Sequence, residues 1–474
     1  MTDRIILQNL PSQITASSSN QLASGFKRKE HDHINSKLKN LNSGDTAVSI
    51  EESAEEEDAS EFPDGGVAWL VVLGSFLGLI PVFGLLNSIG SIQTYISSNQ
   101  LSGISGSVTG WIFSIYLAIA GYGCVFSGTL FDRLGRTFPM LIGTILYSVG
   151  LFATAECTTV YQFILAFGVC VGLGTALNMT PLIGCVSHFF FKKRALATGI
   201  ATIGGSVGGI FMPIMLRRLY VNVGYKWAIR ILAFICTSCL VSSYLLTRER
   251  LPKDEEYKKL PFSKQLTTYF TSSLDFRALR DKRFLFCVLA ILFSEMSLTT
   301  ALTYLPEYAL HQGINEDNAY LLVTLMNVVG IFGRFIPNIF ADKYGRFNVM
   351  ITTSVVATIL CLVLWLPFGK NHAVFYAFCM GFSFFTSSIF SLTPVCLSQI
   401  CKTNQFGARF STMYFCVSFG NLVSVPIAGA IISKGKTNQY NHFVIYCSMV
   451  SVVGAICWLA SRYYIVKTKI WCKV

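Results

Sequence analysis

The sequence carries little charge for its length. Only 13% of its 474 residues are Asp, Glu, Lys or Arg, whereas soluble globular chains carry about 25%. Hydrophobic residues make up 52% of the chain, and beyond residue 66 they recur in long apolar runs. Each run holds about 20 residues, which is enough to cross the hydrocarbon core of a bilayer. The shortage of charge therefore argues against a water-soluble protein and predicts a chain that crosses a membrane many times.

Several functional signatures are also missing. The sequence has no GxxxxGK[ST] phosphate loop, which argues against an ATP-driven pump, and no nucleophile–base set that would indicate an enzyme. No DNA- or RNA-binding motif accompanies the net charge of +12, so we expect no nucleic-acid partner. The fifteen cysteines are scattered through the apolar runs, as is typical of buried thiols that pack as small hydrophobic side chains. We predict no disulfide framework, metal site or cofactor.

The first 62 residues differ from the rest of the chain. They are rich in Ser, Asn, Lys and Glu and end in an acidic stretch, a composition that predicts a disordered N-terminal tail. No secretory signal peptide is recognisable. The first apolar run begins near Val67, and we expect it to act as an uncleaved membrane-targeting segment.

Twelve apolar runs follow this tail. Each is predicted to be a helix, because a backbone in lipid must satisfy its polar groups internally. The longest break, 248–283, leaves six runs on either side. This predicts an N-terminal bundle over 63–247, a linker over 248–283, a C-terminal bundle over 284–466 and a short tail over 467–474. The predicted spans are 67–90, 108–131, 138–155, 159–183, 196–216, 227–247, 284–305, 319–341, 348–367, 374–398, 408–432 and 442–465.

The basic residues between the runs predict the orientation. Nineteen Lys and Arg residues fall in the breaks on one side and six in those on the other. Because cytoplasmic loops are enriched in Lys and Arg, the richer side is predicted to be cytosolic, and both termini lie on it. The plasma membrane is the expected location, with a vacuolar membrane as the alternative.

Two short segments repeat between the predicted halves. DRLGR (132–136) follows the second span, and DKYGR (342–346) follows the eighth. An aspartate can cap or pair with a neighbouring helix, a glycine permits a tight turn, and an arginine binds carboxylates or helix C-terminal carbonyls. The alternative is a pair of ordinary basic turns. The residues predicted to form a conformational latch are Asp132, Gly135, Arg136, Asp342, Gly345 and Arg346.

This repeat resembles the conserved loop motif of the major facilitator superfamily, and the resemblance covers roughly residues 63–466. It implies an all-α membrane protein with twelve transmembrane helices in two six-helix bundles. It also implies that the bundles rock about a shared cavity and expose it to each side in turn, an arrangement common in secondary transporters.

Two further segments resemble the monocarboxylate transporter family, in its fungal branch. PDGGVAW (63–69) opens the first span, and FKKRALATG (191–199) opens the fifth. The acidic Asp64 suits a helix N-terminus, Trp69 suits the membrane interface, and the basic triplet is expected to hold the cytosolic end. The matching residues are Asp64, Gly65, Gly66, Trp69, Lys192, Lys193 and Arg194.

The chain departs from that family at two positions. In mammalian members a lysine in the first span binds substrate, and the matching residue here is Asn87. Those members also place an acidic residue one turn before an arginine in the eighth span. The arginine is kept as Arg334, but the preceding position is Gly330. The departures put proton-coupled transport of lactate-type acids in doubt.

Two charges lie deep within apolar runs. Arg334 is about 12 Å from the cytosolic end of its span, and Glu295 is about 18 Å from that end of the seventh. Such charges are costly unless paired or wet. We expect Arg334 to bind an anionic or carbonyl-bearing substrate, and Glu295 to balance it or to take a proton; a structural ion pair is the alternative. Neutral groups that could hydrogen-bond in the cavity are Asn87, Gln93, Tyr116, Asn178, Tyr304 and Asn327.

Three functions stay open at this stage. The leading one is a secondary active or facilitative carrier of a small organic solute, which we expect to be anionic, with or without proton symport. The second is a carrier of a larger metabolite such as a vitamin, for which riboflavin is the model. The third is a non-transporting nutrient sensor built on a transporter fold.

Overall fold

The computed structural model describes residues 63–104, 106–250, 276–401, 405–432 and 437–467, with positions 261, 264, 269 and 274. Within this part, twelve helices are long and apolar enough to cross a membrane. They are α1 (Ala68–Ser98), α2 (Val108–Leu134), α3 (Thr137–Thr154), α4 (Val160–Ser187), α5 (Arg194–Asn222), α6 (Gly224–Leu246), α7 (Lys282–His311), α8 (Glu316–Tyr344), α9 (Arg346–Phe368), α10 (His372–Ile400), α11 (Phe406–Ile432) and α12 (Thr437–Val466).

The prediction of twelve helices is confirmed, but several helices extend beyond their apolar runs. α1 continues to Ser98, past the predicted end at residue 90, and α2 continues to Leu134, past residue 131. A helix satisfies its own backbone wherever it lies, whereas hydropathy marks only the lipid-facing length. The predicted tail over 1–62, the interior of the linker and the end of the C-terminal tail lie outside the described residues.

In the N-terminal half, α1 and α5 pack closely along much of their length. The approach depends on small residues, since a Cβ added at Gly84 would lie 2.6 Å from the Cα of Gly208. Close backbone contact of this kind replaces hydrophobic burial as a source of helix association in lipid. Cys236 and Cys239 have CxxC spacing but lie on consecutive turns of α6 and are free.

The two halves meet along a limited set of helices. α5 of the N-terminal half packs against α8 and α10, and α11 of the C-terminal half packs against α2 and α4. The DRLGR and DKYGR segments lie at the same end of the molecule, at the ends of α2 and α8. We call this the motif end, and it is defined by Asp132 and Asp342.

Candidate functional site

Asp132 joins the two halves at the motif end. Its carboxylate accepts hydrogen bonds from the backbone N–H groups of Gly407 at 2.9 Å and Ala408 at 2.8 Å. These groups belong to the first turn of α11, where N–H groups have no partner within the helix and the helix dipole favours an anion. The aspartate of one half therefore caps a helix of the other.

Asp342 makes the reciprocal contact. Its carboxylate accepts from the backbone N–H groups of Ala195 at 3.0 Å and Leu196 at 2.9 Å, in the first turn of α5. α5 and α11 occupy equivalent places in the two halves, as do α2 and α8. The repeat detected in the sequence thus corresponds to two symmetric caps, and both cross the boundary between the halves.

The glycine and arginine of each repeat support these caps. Gly135 and Gly345 have φ of +77° and +100°, a region in which a side chain is strained. Arg136 donates to the carbonyl of Tyr244 at 2.7 Å, and Arg346 donates to the carbonyl of Phe191 across the boundary. Both arginines therefore bind backbone carbonyls, and the guanidinium of Arg346 also lies 3.8 Å from the carboxylate of Asp342. Carbonyls and carboxylates are the two kinds of partner predicted from the sequence.

Glu249 is a partner of the first repeat that the sequence did not indicate. It lies just beyond α6, where its carboxylate accepts from the backbone N–H of Arg136, and a Cβ at Gly135 would collide with it. The requirement for glycine at this turn therefore comes from an approaching carboxylate as well as from the positive φ.

Asp64 does not cap its own helix. The residue before α1 is Val67, which makes no side-chain cap. Instead, the Asp64 carboxylate accepts from the backbone N–H groups of Phe191 at 3.0 Å, Lys192 at 3.1 Å and Lys193 at 3.1 Å. It holds the segment that leads into α5, so the two motifs of the monocarboxylate-transporter resemblance bind each other. The expectation that Asp64 suits a helix N-terminus applies to α5 and not to α1.

The basic triplet is divided between solvent and interior. Lys192 and Lys193 are exposed, whereas Arg194 is only 3% exposed. Arg194 donates to the carbonyls of Phe190 and Ser187 in its own half and to the hydroxyl of Ser398 in the other half, at 2.9 Å. The start of α5 is thus held by Asp64 from its own half and by groups from the opposite half.

α2 and α11 also approach each other closely next to the Asp132 cap. A Cβ at Gly128 would collide with the hydroxyl of Ser411, and that hydroxyl donates to the carbonyl of Cys124 at 2.6 Å. Further along, the rings of Tyr122 and Phe415 meet with centroids 5.5 Å apart. The boundary between the halves is therefore closed at the motif end.

Arg334 lies at the boundary, further from the motif end. It is 5% exposed and donates from Nη1 to the carbonyl of Thr202 on α5. Its guanidinium lies over the ring of Phe390 at 5.6 Å, and that ring is 6.2 Å from the ring of Phe83 on α1. The Nε atom of Arg334 is buried without a hydrogen-bond partner. A buried cation with spare donor capacity at the meeting of both halves is suited to bind a carbonyl or carboxylate ligand.

Glu295 has a different environment. It is 4% exposed and accepts a hydrogen bond from the hydroxyl of Tyr414 on α11 at 3.1 Å. Among the contacts of the described residues, Glu295 and Arg334 form no ion pair. The pairing offered from the sequence as an alternative is absent from this structure.

The two positions at which the chain departs from the monocarboxylate transporter family have different surroundings. A Cβ at Gly330 would lie 2.7 Å from the hydroxyl of Ser387 on α10, so a larger residue there would require that hydroxyl to turn away. Asn87 is exposed and donates to the carbonyl of Gly205 on α5 at 3.3 Å. It stands beside Gly209, which in turn lies against Asn327 of the other half.

Three other neutral candidates are bonded within their own half. The hydroxyl of Tyr116 pairs with that of Thr175 at 3.2 Å, Asn178 donates to its own helix, and Tyr304 donates to the carbonyl of Val425. These contacts are those of helix packing. Gln93 lies half-buried near the C-terminal end of α1, away from the motif end.

At the end opposite the motifs, Glu156 forms an exposed ion cluster. Its carboxylate lies 2.9 Å from the ammonium of Lys226 and also pairs with Arg230. Hydrogen bonds from Lys226 and Arg230 hold the pKa of Glu156 below its usual range. The cluster ties the segment after α3 to the start of α6 in the same half.

The structure is a bundle of twelve membrane-length helices in two halves. Reciprocal aspartate caps join the halves, and an arginine lies between them within the membrane. These features define a multi-pass membrane carrier. The Major Facilitator Superfamily model matches residues 68–425, and the chain belongs to that superfamily. It is a transporter of small solutes and not an enzyme.

Individual relatives agree with this assignment. The riboflavin transporter MCH5 of Saccharomyces cerevisiae is 44% identical over 441 residues, covering 90% of this chain and 85% of the relative. An MFS-type transporter of Gibberella moniliformis is 33% identical over 417 residues, covering 88% of this chain and 95% of the relative.

Solved structures share the fold. The transporter FucP in an outward conformation superposes with a TM-score of 0.65 at 16% identity, covering 84% of this chain and 99% of that chain. The human organic anion transporter MFSD10 superposes with a TM-score of 0.63 at 14% identity, covering 83% of this chain and 98% of that chain.

Proposed function

We propose that this protein carries riboflavin, or a closely related flavin, across a membrane by alternating access. The observation that carries this proposal is the 44% identity to a riboflavin transporter along 90% of the chain. The vitamin alternative from the sequence analysis thereby becomes the leading function. A carrier of small monocarboxylates is the second candidate, favoured by the buried cation Arg334.

The candidate site suits a flavin in three respects. The rings of Phe83 and Phe390 supply apolar faces on which an aromatic ring system can pack. The amides of Asn87 and Asn327 supply hydrogen bonds to a polar ring edge. Arg334 supplies donors for a carbonyl oxygen without requiring that the ligand carry a full charge.

The same site suits a small carboxylate less well. A neutral amide at Asn87 replaces the lysine that the monocarboxylate-transporter resemblance implies, and Gly330 supplies no acidic partner for Arg334. We also propose that the chain belongs to the fungal branch of that family, and the Asp64 contacts that join its two characteristic segments support this.

We further propose that the motif end faces the cytosol, with both termini on that side and the plasma membrane as the location. The excess of basic residues at this end supports the orientation. On that basis the structure is closed to the cytosol. The latch made by Asp132, Asp342 and their partners stabilises this state and must open when the solute is released inside.

Uptake of labelled riboflavin tests the function directly. In cells that cannot synthesise riboflavin and lack their own carrier, expression of this chain should give saturable uptake that unlabelled riboflavin suppresses and lactate does not. A non-transporting sensor would give no uptake of either solute, and a monocarboxylate carrier would show the reverse preference. Either result would contradict the proposal.

Glu295 is proposed to take part in proton coupling if uptake responds to a pH gradient. Its buried carboxylate has a hydroxyl partner and no cation among its described contacts. A charge in such a place is costly, so the loss or gain of a proton by Glu295 would change the free energy of the conformation that holds it. Replacing Glu295 with Gln should abolish acceleration by an inward proton gradient and leave uptake without a gradient within about threefold, because the amide keeps the neutral shape.

Vesicle uptake with and without the gradient measures this effect. Glu307→Gln is the matched control, because Glu307 lies on the same helix α7 and also accepts from a tyrosine, Tyr440, at 3.2 Å. A gradient response that survives in Glu295→Gln would remove the carboxylate from the coupling mechanism.

A further inference from the structure

Helices from both halves converge on Gly209 of α5. A Cβ added there would lie 2.8 Å from the Cβ of Asn87 on α1, 3.2 Å from the Nδ2 of Asn87 and 3.2 Å from the Oδ1 of Asn327 on α8. Two side-chain amides, one from each half, therefore flank a residue that has no side chain of its own. A side chain at position 209 would collide with Asn87, so the two amides can lie together here only while this residue is glycine. We call the space between the two amide groups the gap.

The two amides present different groups to this gap. Asn87 points its Nδ2 toward Gly209. One of the two N–H groups on this nitrogen donates a hydrogen bond to the carbonyl of Gly205 at 3.3 Å, and the second is available to a ligand. Asn327 anchors its own Nδ2 on the carbonyl of Val323 at 3.1 Å and turns its Oδ1 toward Gly209. The gap thus has a donor on one side and an acceptor on the other.

Arg334 adds a second donor nearby. A Cβ at Gly205 would lie 3.3 Å from the Nη1 of Arg334, and Gly205 stands four residues, about 6 Å along the helix axis, from Gly209. Along this face of α5 the guanidinium lies beside Gly205, and the amide oxygen of Asn327 and the amide N–H of Asn87 lie beside Gly209. Asn87 is exposed and Asn327 is half-buried, so a ligand can reach both.

We propose that Asn327 determines specificity by accepting a hydrogen bond from the imide N–H of the flavin ring, while Asn87 donates to one of the imide carbonyls. An imide edge carries a carbonyl on each side of an N–H, and we assign the second carbonyl to Arg334, whose Nε is buried without a hydrogen-bond partner. This inference rests on the proposed function, since it assumes that the solute is a flavin.

The arrangement also links recognition to movement. Asn87 belongs to the N-terminal half and Asn327 to the C-terminal half, so a ligand that bonds to both bridges the halves. A solute without an imide N–H leaves Asn327 without a partner at this boundary. A site built around a ligand N–H rejects analogues that lack it, because its own polar group is then left unpaired.

Competition by 3-methylriboflavin, in which a methyl group replaces the imide proton, tests the inference. For the unmodified protein, this analogue should inhibit riboflavin uptake at least about tenfold more weakly than riboflavin itself. In Asn327→Leu, riboflavin affinity should fall by about tenfold, and the two flavins should then compete equally within about twofold. Asn327→Asp keeps an acceptor oxygen and should keep the preference for riboflavin.

Two glycine variants complete the experiment. Gly209→Ala should weaken riboflavin uptake, because its methyl group would collide with Asn87 and displace the amide, whereas Gly90→Ala on α1 meets no atom within 4 Å and should change nothing. If the unmodified protein carries riboflavin but Asn327→Leu retains full discrimination against the methyl analogue, the assignment of Asn327 is wrong and the proposed function stands. If the unmodified protein carries no riboflavin at all, the proposed function itself has failed. Loss of discrimination in Asn327→Asp would likewise overturn the role of the acceptor oxygen.

Discussion

Replacing Asp132 and Asp342 together with alanine is expected to lower solute uptake by at least about tenfold and to open the motif end. Each carboxylate accepts two backbone N–H bonds from a helix of the opposite half. Hydrogen bonds to a charged group contribute about 1.5–3 kcal/mol each. A loss of only about 2 kcal/mol at one aspartate shifts the ratio of closed to open states by about 30-fold, and the loss at both shifts it by about 700-fold. The transport cycle needs both states, so a carrier held open at one end turns over slowly.

Reaction of a thiol reagent with a cysteine placed at Ser411 measures the opening, because this residue lies against Gly128 in the closed structure. The double variant should react faster than its parent at equal surface expression. Asp281→Ala is the matched control, since Asp281 also caps a helix near this end, but its own helix α7. Unchanged reactivity together with native uptake would show that the aspartates are not a latch.

Replacing Arg334 with Ala is expected to reduce uptake by at least about tenfold at equal surface expression, which corresponds to about 1.4 kcal/mol. The guanidinium spans two contacts, the carbonyl of Thr202 and the ring of Phe390. An ammonium has a different shape and cannot reproduce a planar group that stacks and donates at once. Arg334→Lys should therefore restore only part of the uptake.

Arg218→Ala serves as the control, because Arg218 is an exposed arginine near the opposite end of α5. Initial rates over a range of riboflavin concentrations separate binding from turnover. A ligand contact predicts a higher KM, whereas a purely structural role predicts fewer correctly folded copies with unchanged KM. Native uptake in Arg334→Ala would end its assignment to the site.

The fold could be predicted because its signals are local in sequence. Apolar runs near the length of a bilayer predict each helix without knowledge of its neighbours, and the repeated DRLGR and DKYGR segments indicate the duplication of the halves. The helix ends were less predictable. The end of α1 at Ser98 lies among polar residues, where hydropathy carries no information about backbone structure.

The contacts of the site depend on positions far apart in the chain. Arg334 could be singled out because it is a charge within an apolar run. The acceptor of its hydrogen bond could not, because it is a backbone carbonyl 132 residues away and every residue has such a carbonyl. The approach of Asn87 to Asn327 depends on Gly209. The sequence does not distinguish this glycine from the others of α5, and only the packing of α1 and α8 against it reveals its role. Asp64 showed that a motif residue was important without showing which helix it binds.

The most direct test of the account is a reversible cross-link between α2 and α11. The rings of Tyr122 and Phe415 meet across the boundary at 5.5 Å, so cysteines at these positions in a cysteine-free background should be joined by a short bifunctional thiol reagent. Alternating access predicts that the link stops riboflavin uptake and that cleaving it restores uptake, with either single cysteine unaffected. Riboflavin uptake at an undiminished rate through fully cross-linked protein would contradict it.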